Sequence, residues 1–519
     1  MSNKSIKKPD LMPIPKPKKY KSANAPMRYS KICLTLINKI NLVKIKNLST
    51  LNYSPVAIIF IYFCIHFFLR IIVSDTIQVD DIEQILYGGN LELGYPIPQP
   101  PMYTWLIWTM FKILGVNIFA LSLLKYSLLF FTFIFIWKVC NLISIKNQTK
   151  KLIFFSYLLM PSFFWHAHQG FTHTILLGLG IVLTFYYLIK LTKTQKNRDY
   201  FLFGFSIFIG LMGKYSFIIF LPVIILSALS IPSFRKSLLD KKIFLSIGLL
   251  VFLVSPHLYW LIDNYHQIYN QAAERLLITN DRFSYFENIF LIFESSLGFI
   301  TPLVFFIIFK FNLLIKRTQN KNNVDIIYLL NRFFLIILLA SLSFPLFYSL
   351  NEIKVRWLHP ILMLFPFWIW LLLEQKDNFS NIFINAFKYS VITISFLVLS
   401  LRFAQVYIAP EFDYYPRLAI PIIKTLNKIP YEKHRDSVIK TDDYYLFAHL
   451  ITTFPENKVS YQKNIRNPGN ESQNCLIINP LGIKKNIDEL KNIDSSDYVY
   501  SKIGKEFYVL TYDYIPKCR

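Results

Sequence analysis

Three carboxylates stand close together at Asp80, Asp81 and Glu83, followed by Gln84, in the segment VDDIEQILYGG. On a helix the i,i+3 spacing puts Asp80 and Glu83 on one face, and Gln84 at i+4 joins them. Such a group, placed directly after an apolar segment, has the chemistry of a general base or of a site for a divalent cation. An ordinary solvated loop has the same composition, and spacing alone does not decide between them.

Further on, three histidines fall within eight residues at His166, His168 and His173. Their HxHx4H spacing is not a standard zinc pattern, so no metal is assigned. A polar or phosphate contact by His173 fits better. Lys214, in the turn GLMGKYS, and Lys354, Arg356 and His359, in KVRWLHP, are cationic or titratable groups beside apolar segments. His257 in SPHLYW is similar. Charges there are costly and mark binding sites. Snorkelling explains a single lysine but explains Arg356 with His359 less well. Between the acids and the next apolar stretch lies YPIPQPPMYTW, in which Pro100-Pro101 suits the first turn of a helix and Gln99 precedes the pair.

The elements that must carry these residues are membrane helices. Of 519 residues, 54% are hydrophobic and only 17% charged, and mean hydropathy is +0.39. These values exclude a soluble enzyme, a disordered chain and a disulfide scaffold. The apolar runs are continuous rather than alternating, which excludes a β-barrel. The net charge of +25 suits basic cytoplasmic loops. No motif points to nucleic acid. The cysteines (Cys33, Cys64, Cys140, Cys475, Cys518) form no CxxC.

Residues 1–50 carry twelve Lys or Arg against one acid, Asp10, and are expected to be a solvated cytoplasmic tail, contact with anionic membrane lipids being the weaker reading. Spans are expected near 55–73, 119–142, 152–165, 174–191, 199–213, 215–232, 243–259, 296–311, 326–349, 357–374 and 383–404, about eleven in all. The stretch 101–117, rich in Trp and Tyr, is expected to lie along the outer interface; only then does the basic loop 145–151 fall inside. The loops holding Lys190 to Arg198, Arg235 to Lys242, and Lys316, Arg317 and Lys321 then also fall inside. Asp80, His173, Lys214, His257 and Arg356 all fall on the outer side. The charge rule did not impose that convergence, so it argues for one outer site. No internal repeat marks an inverted-repeat transporter. The expected architecture is an all-α polytopic membrane protein. It has a tail (1–50), a transmembrane catalytic domain (51–404) and a small α/β domain outside the membrane (405–519), where Cys475 and Cys518 are either paired or free.

The ordered set DDIEQ, LGYPIPQPPMYTWLIW, GVNIFALSLLKY, THTILLG, GLMGKYSFIIFLP, SPHLYWLIDN and RWLHP resembles glycosyltransferase family 39, across roughly residues 50–375. These GT-C-fold enzymes include protein mannosyltransferases and bacterial lipid A aminoarabinose and galacturonic acid transferases. The resemblance implies a polyprenyl-phosphate-linked sugar as donor and a lipid, glycan or protein acceptor, met on the outer face of the inner membrane. It implies Asp80 as the base, with Asp81 where the family has Glu. Many members have Lys before the double proline; Gln99 stands there in this chain, which shifts the phosphate contact onto Lys214 and Arg356. The expected chemistry is an inverting single displacement, with no certain cofactor and room for a divalent cation at the acids. The alternative is a transporter or flippase for a lipid-linked or anionic solute, which would need membrane cations but no carboxylate cluster.

Overall fold

The computed structural model describes residues 54–276, 285–310, 323–347, 352–376, 379–431, 435–461, 474–486 and 497–516. The tail 1–50, Lys316, Arg317, Lys321 and Cys518 lie outside the described residues.

Seven helices among the described residues are long and apolar enough to cross a membrane: Pro55–Val73, Ile118–Leu142, His173–Thr194, Ile243–Gln271, Tyr285–Ile308, Val324–Leu346 and Asn381–Tyr407. Each falls on an expected span. The remaining expectations meet shorter or broken helices. The 152–165 stretch is a ten-residue helix, a 3-10 turn and a π-helical turn beginning after Pro161. The 199–213 stretch is a 17-residue helix, Asn197–Gly213. Phe217–Leu229 meets Pro232–Leu238 at a 114° bend. The 357–374 stretch is divided into His359–Leu362 and Phe365–Glu374, each with proline in its first turn. By length and composition the count is thus seven, or eight with the bent pair, against about eleven expected. Hydropathy senses how apolar a stretch is, not whether its helix is continuous; prolines stand at the breaks in 152–165 and 357–374, while Pro256 and Pro302 lie within unbroken helices.

The most enclosed of the seven is His173–Thr194, 83% buried over its apolar window. It touches Asn197–Gly213 through glycine: a Cβ on Gly180 would lie 2.4 Å from the Gly210 Cα. Small residues allow such backbone approach between membrane helices. The Trp-rich stretch forms Met102–Leu114. Its 13 residues rise only about 20 Å, short of the roughly 30 Å hydrocarbon core.

The C-terminal region holds a five-stranded sheet in the order β2-β1-β3-β5-β4. The strands are β1 (Val438–Thr441), β2 (Val459–Tyr461), β3 (Cys475–Lys484), β4 (Asp497–Ile503) and β5 (Glu506–Ile515). β1 runs parallel to β2 and β3, while β5 pairs antiparallel with β3 and β4. The helix Tyr444–Thr453 connects β1 to β2, as a parallel pair requires. The region has its own apolar core around Leu426, Ile439, Leu450, Leu476 and Leu510. Cys475 is disulfide-bonded.

This region is tied to the segment just before the acids. Ser74 Oγ donates to Leu418 O at 2.6 Å and Thr76 Oγ1 to Ile420 O at 2.7 Å. His449 Nε2 accepts the Ile77 N–H at 2.9 Å. From the membrane side, Arg70 donates to the carbonyls of Ser74 and Thr76, both at 2.6 Å.

Candidate active site

The acids lie on the short helix Val79–Tyr87. Its inward face is Asp81, Ile82, Gln84 and Ile85, all buried. The helix stops at Gly88, where a Cβ would meet Gln84 O at 2.5 Å. The two neighbouring aspartates therefore point to different environments. Asp81 is buried and pairs with Lys125 Nζ at 3.4 Å. Asp80 keeps 26% of its side chain exposed and has Arg356 Nη1 at 3.7 Å from its Oδ2. That is ion-pair range but too long for a hydrogen bond.

Gln84 serves a scaffold. Its Oε1 accepts from Thr104 Oγ1 at 3.0 Å, and its Nε2 lies 3.3 Å from His173 Nε2. His173 Nδ1 lies 3.2 Å from Gly213 O. A carbonyl accepts only, so Nδ1 carries the proton and Nε2 accepts from Gln84. Next in the chain, Lys214 Nζ donates to Thr174 Oγ1 at 2.8 Å.

Asp80 opens on a cavity of about 290 Å³. The acidic helix supplies Gln78, Val79 and Asp80; the histidine-rich turn supplies His166, Gln169, Gly170 and Phe171. Arg356, Gln405 and the segment Pro416 to Leu418 complete the wall. Burial raises the Asp80 carboxyl to about 6; Arg356 opposes that rise, while Glu83 and Asp81 add to it. Burial lowers Lys214 to about 7, with Arg356 reinforcing the shift and Asp80 opposing it. Asp80, Arg356 and Lys214 therefore feel one another's charge.

Of the residues singled out in the sequence, Asp80 and Arg356 meet at the cavity and Lys214 lies within electrostatic reach. Glu83, half-buried, is close enough to act on Asp80. His359 is buried against Phe163, Phe171 and Phe299. Its Nδ1, like Gln99 Oε1 and the Tyr103 hydroxyl, is buried with no hydrogen-bond partner. His173 belongs to the scaffold. His257 is drawn elsewhere: Nδ1 pairs with Leu93 O at 2.8 Å and Nε2 with the Tyr215 hydroxyl at 3.0 Å. Asp81 and Gln99 do not line the cavity. Among the described residues no three His, Cys, Asp or Glu side chains group as metal ligands; the aspartates face cations instead.

Several participants were not singled out. Lys125 sits in an apolar run, FALSLLKYS, where one buried lysine was a visible signal. Gln78, Gln405 and Arg417 carry no local mark, because only the fold brings residues 405–418 to the acids.

Similarity to known proteins bears on the family and the fold. Residues 98–260 match the family described as dolichyl-phosphate-mannose-protein mannosyltransferase. The lipopolysaccharide core galacturonosyltransferase RgtB of Rhizobium johnstonii is 27% identical over 405 residues, 77% of this chain and 81% of that one. RgtA of the same organism is 28% identical over 204 residues, 39% of this chain and 40% of that one. The solved structure of ArnT from Cupriavidus metallidurans bound to undecaprenyl phosphate aligns over 88% of this chain and 97% of that chain, with TM-score 0.56 and 10% identity. Its apo form aligns equally well. The helical bundle with a small C-terminal sheet thus has the ArnT-like GT-C fold, and the family match and the named relatives support glycosyltransferase activity. These matches support the likeness to glycosyltransferase family 39 read from the sequence.

Proposed function

We propose that the protein transfers a sugar from a polyprenyl-phosphate donor to an envelope acceptor at the outer face of the inner membrane, the lipopolysaccharide core being the first acceptor to test. The observation that carries this reading is the partly exposed Asp80 beside Arg356 in the wall of a cavity. The relatives named as lipopolysaccharide core galacturonosyltransferases support the acceptor class. The ArnT structure holding undecaprenyl phosphate supports the donor class.

In this reading an acceptor hydroxyl attacks the anomeric carbon as the bond from that carbon to the phosphate oxygen breaks. Asp80 takes the hydroxyl proton. The electron pair leaves with the polyprenyl phosphate, whose added negative charge is met by Arg356 and Lys214. One base suffices, so the anomeric centre inverts; the paired carboxylates of a glycosidase are not required. The N-terminus and the loops holding Lys150 and Lys196 are cytoplasmic, with Asp80, His173 and the C-terminal sheet outside.

The test is transfer by the purified full-length protein in lipid nanodiscs, from polyprenyl-phosphate-linked sugars to lipopolysaccharide core, read by mass spectrometry. Asp80→Asn should lower turnover about 100- to 10,000-fold at equal protein level and unchanged lipid binding. Full activity in that variant, or labelling of a cysteine at position 150 from outside the cell, would remove the proposed site. Movement of lipid without a new glycosidic bond would favour the flippase.

A further inference from the structure

Resting on that reading, the cavity wall carries a second arginine besides the Arg356 assigned to the donor phosphate. Arg356 and Arg417 are its cationic lining residues, Asp80 is its only acid, and Arg356 already stands at 3.7 Å from Asp80. A sugar joined to polyprenyl phosphate through a phosphodiester carries a single negative charge. The proposed function assigns Arg356, with Lys214 behind the wall, to that charge. Arg417 has no part there and stands on the wall contributed by the C-terminal region.

Arg417 is exposed, but its backbone and its guanidinium are both held. It follows Pro416 and opens the 3-10 turn Arg417–Ala419. The carbonyls of Leu418 and Ile420 anchor that turn to Ser74 and Thr76, in the segment leading to Asp80. Its guanidinium lies 4.3 Å from the Tyr445 ring centroid. Stacking engages the guanidinium face and leaves its edge N–H groups for a planar two-oxygen partner. Among the described residues no carboxylate pairs with it. On the same cavity wall, Gln78 is 7% exposed and its Oε1 is buried with no hydrogen-bond partner among the described residues. An unfilled acceptor and an unfilled guanidinium edge on one cavity wall suit a ligand that combines hydroxyls with an acidic group.

We propose that Arg417 forms an anion subsite for a second acidic group, a carboxylate or phosphate distinct from the donor phosphodiester, carried by the transferred sugar or by the acceptor. A hexuronic acid carboxylate and a core phosphate offer the same two-oxygen edge, and experiment separates them.

Binding to the full-length protein in nanodiscs is measured with four probes: polyprenyl phosphate bearing a hexuronic acid, the same lipid bearing the neutral hexose, and lipopolysaccharide core before and after phosphatase treatment. Wild type should prefer the acidic member of one pair by about tenfold or more, the scale of a charge-assisted hydrogen bond. Arg417→Gln should reduce that preference to within about twofold, and Arg417→Lys should restore part of it. Loss of preference in the donor pair locates the acid on the sugar; loss in the acceptor pair locates it on the acceptor. Equal affinity of wild type within both pairs, or a preference that survives Arg417→Gln, overturns the subsite. Binding is read without turnover. An Arg417-dependent preference without sugar transfer therefore leaves the subsite standing and removes the transferase reading, and active transfer with no preference does the reverse.

Discussion

Asp81 pairs with Lys125 at 3.4 Å, each side chain only 4% exposed, while Asp80, one residue earlier, faces the cavity. Two adjacent acids thus take opposite parts because one points into the bundle and the other out of it. Asp81→Asn should act through stability, leaving Lys125 buried without its counter-charge at a cost of about 3–5 kcal/mol. Lys125→Met added to Asp81→Asn should recover much of that loss. Thermal unfolding of the detergent-purified proteins checks both. A stable but inactive Asp81→Asn protein would instead give Asp81 a direct part in the chemistry.

The acid side of the pH profile should report Asp80. A base acts as the carboxylate, so kcat/KM should fall as pH drops below about 6, the value to which burial raises this group. Arg356 favours the ionised form and Glu83 opposes it. Arg356→Gln should therefore move the acid limb to higher pH, and Glu83→Gln to lower pH. Profiles of the three proteins decide; a limb unmoved by both changes belongs to another group.

On the alkaline side, Lys214 loses its charge near pH 7, because burial and Arg356 lower it. If its cation meets the donor phosphate, kcat/KM should decline above about 7, while kcat, measured with the anion already bound, should hold to higher pH. Lys214→Arg should extend the plateau of kcat/KM upward, since guanidinium stays charged. An unchanged alkaline limb in Lys214→Arg would return Lys214 to a structural contact with Thr174.

His449 should couple the C-terminal region to the base. Burial is the main reason its imidazole is lowered to about 4, with Arg70 adding to the shift and the Tyr445 carbonyl contact opposing it. The neutral ring accepts the Ile77 N–H. A histidine lowered in the folded state contributes stability that is present above its unfolded value near 6.5 and lost as pH falls through about 4. His449→Phe should remove the acceptor, cost about 1–3 kcal/mol for the orphaned N–H, and flatten stability across that pH range. Denaturation of both proteins between pH 4 and 7 checks it. An unchanged slope in His449→Phe would assign the acid sensitivity to the carboxylates.

The sequence by itself determined what local chemistry can determine. Continuous apolar runs identify a helical membrane protein, because a span must satisfy its own backbone within lipid. All seven long helices fall on such runs. The i,i+3 spacing of Asp80 and Glu83 and the cations near Lys214 and Arg356 located the candidate site before any coordinates. Tertiary structure decided the rest. Hydropathy could not show that prolines interrupt 152–165 and 357–374, or that Asn197–Gly213 stops at 17 residues. Spacing could not say which of Asp80 and Asp81 meets the cavity, since the answer depends on Lys125 in another helix. Nor could it bring Arg417 or His449 to the acids. Ser74 and the Leu418 carbonyl that anchors the Arg417 turn are 344 residues apart. Local periodicity carries no information over that distance; only the folded chain brings such groups into contact.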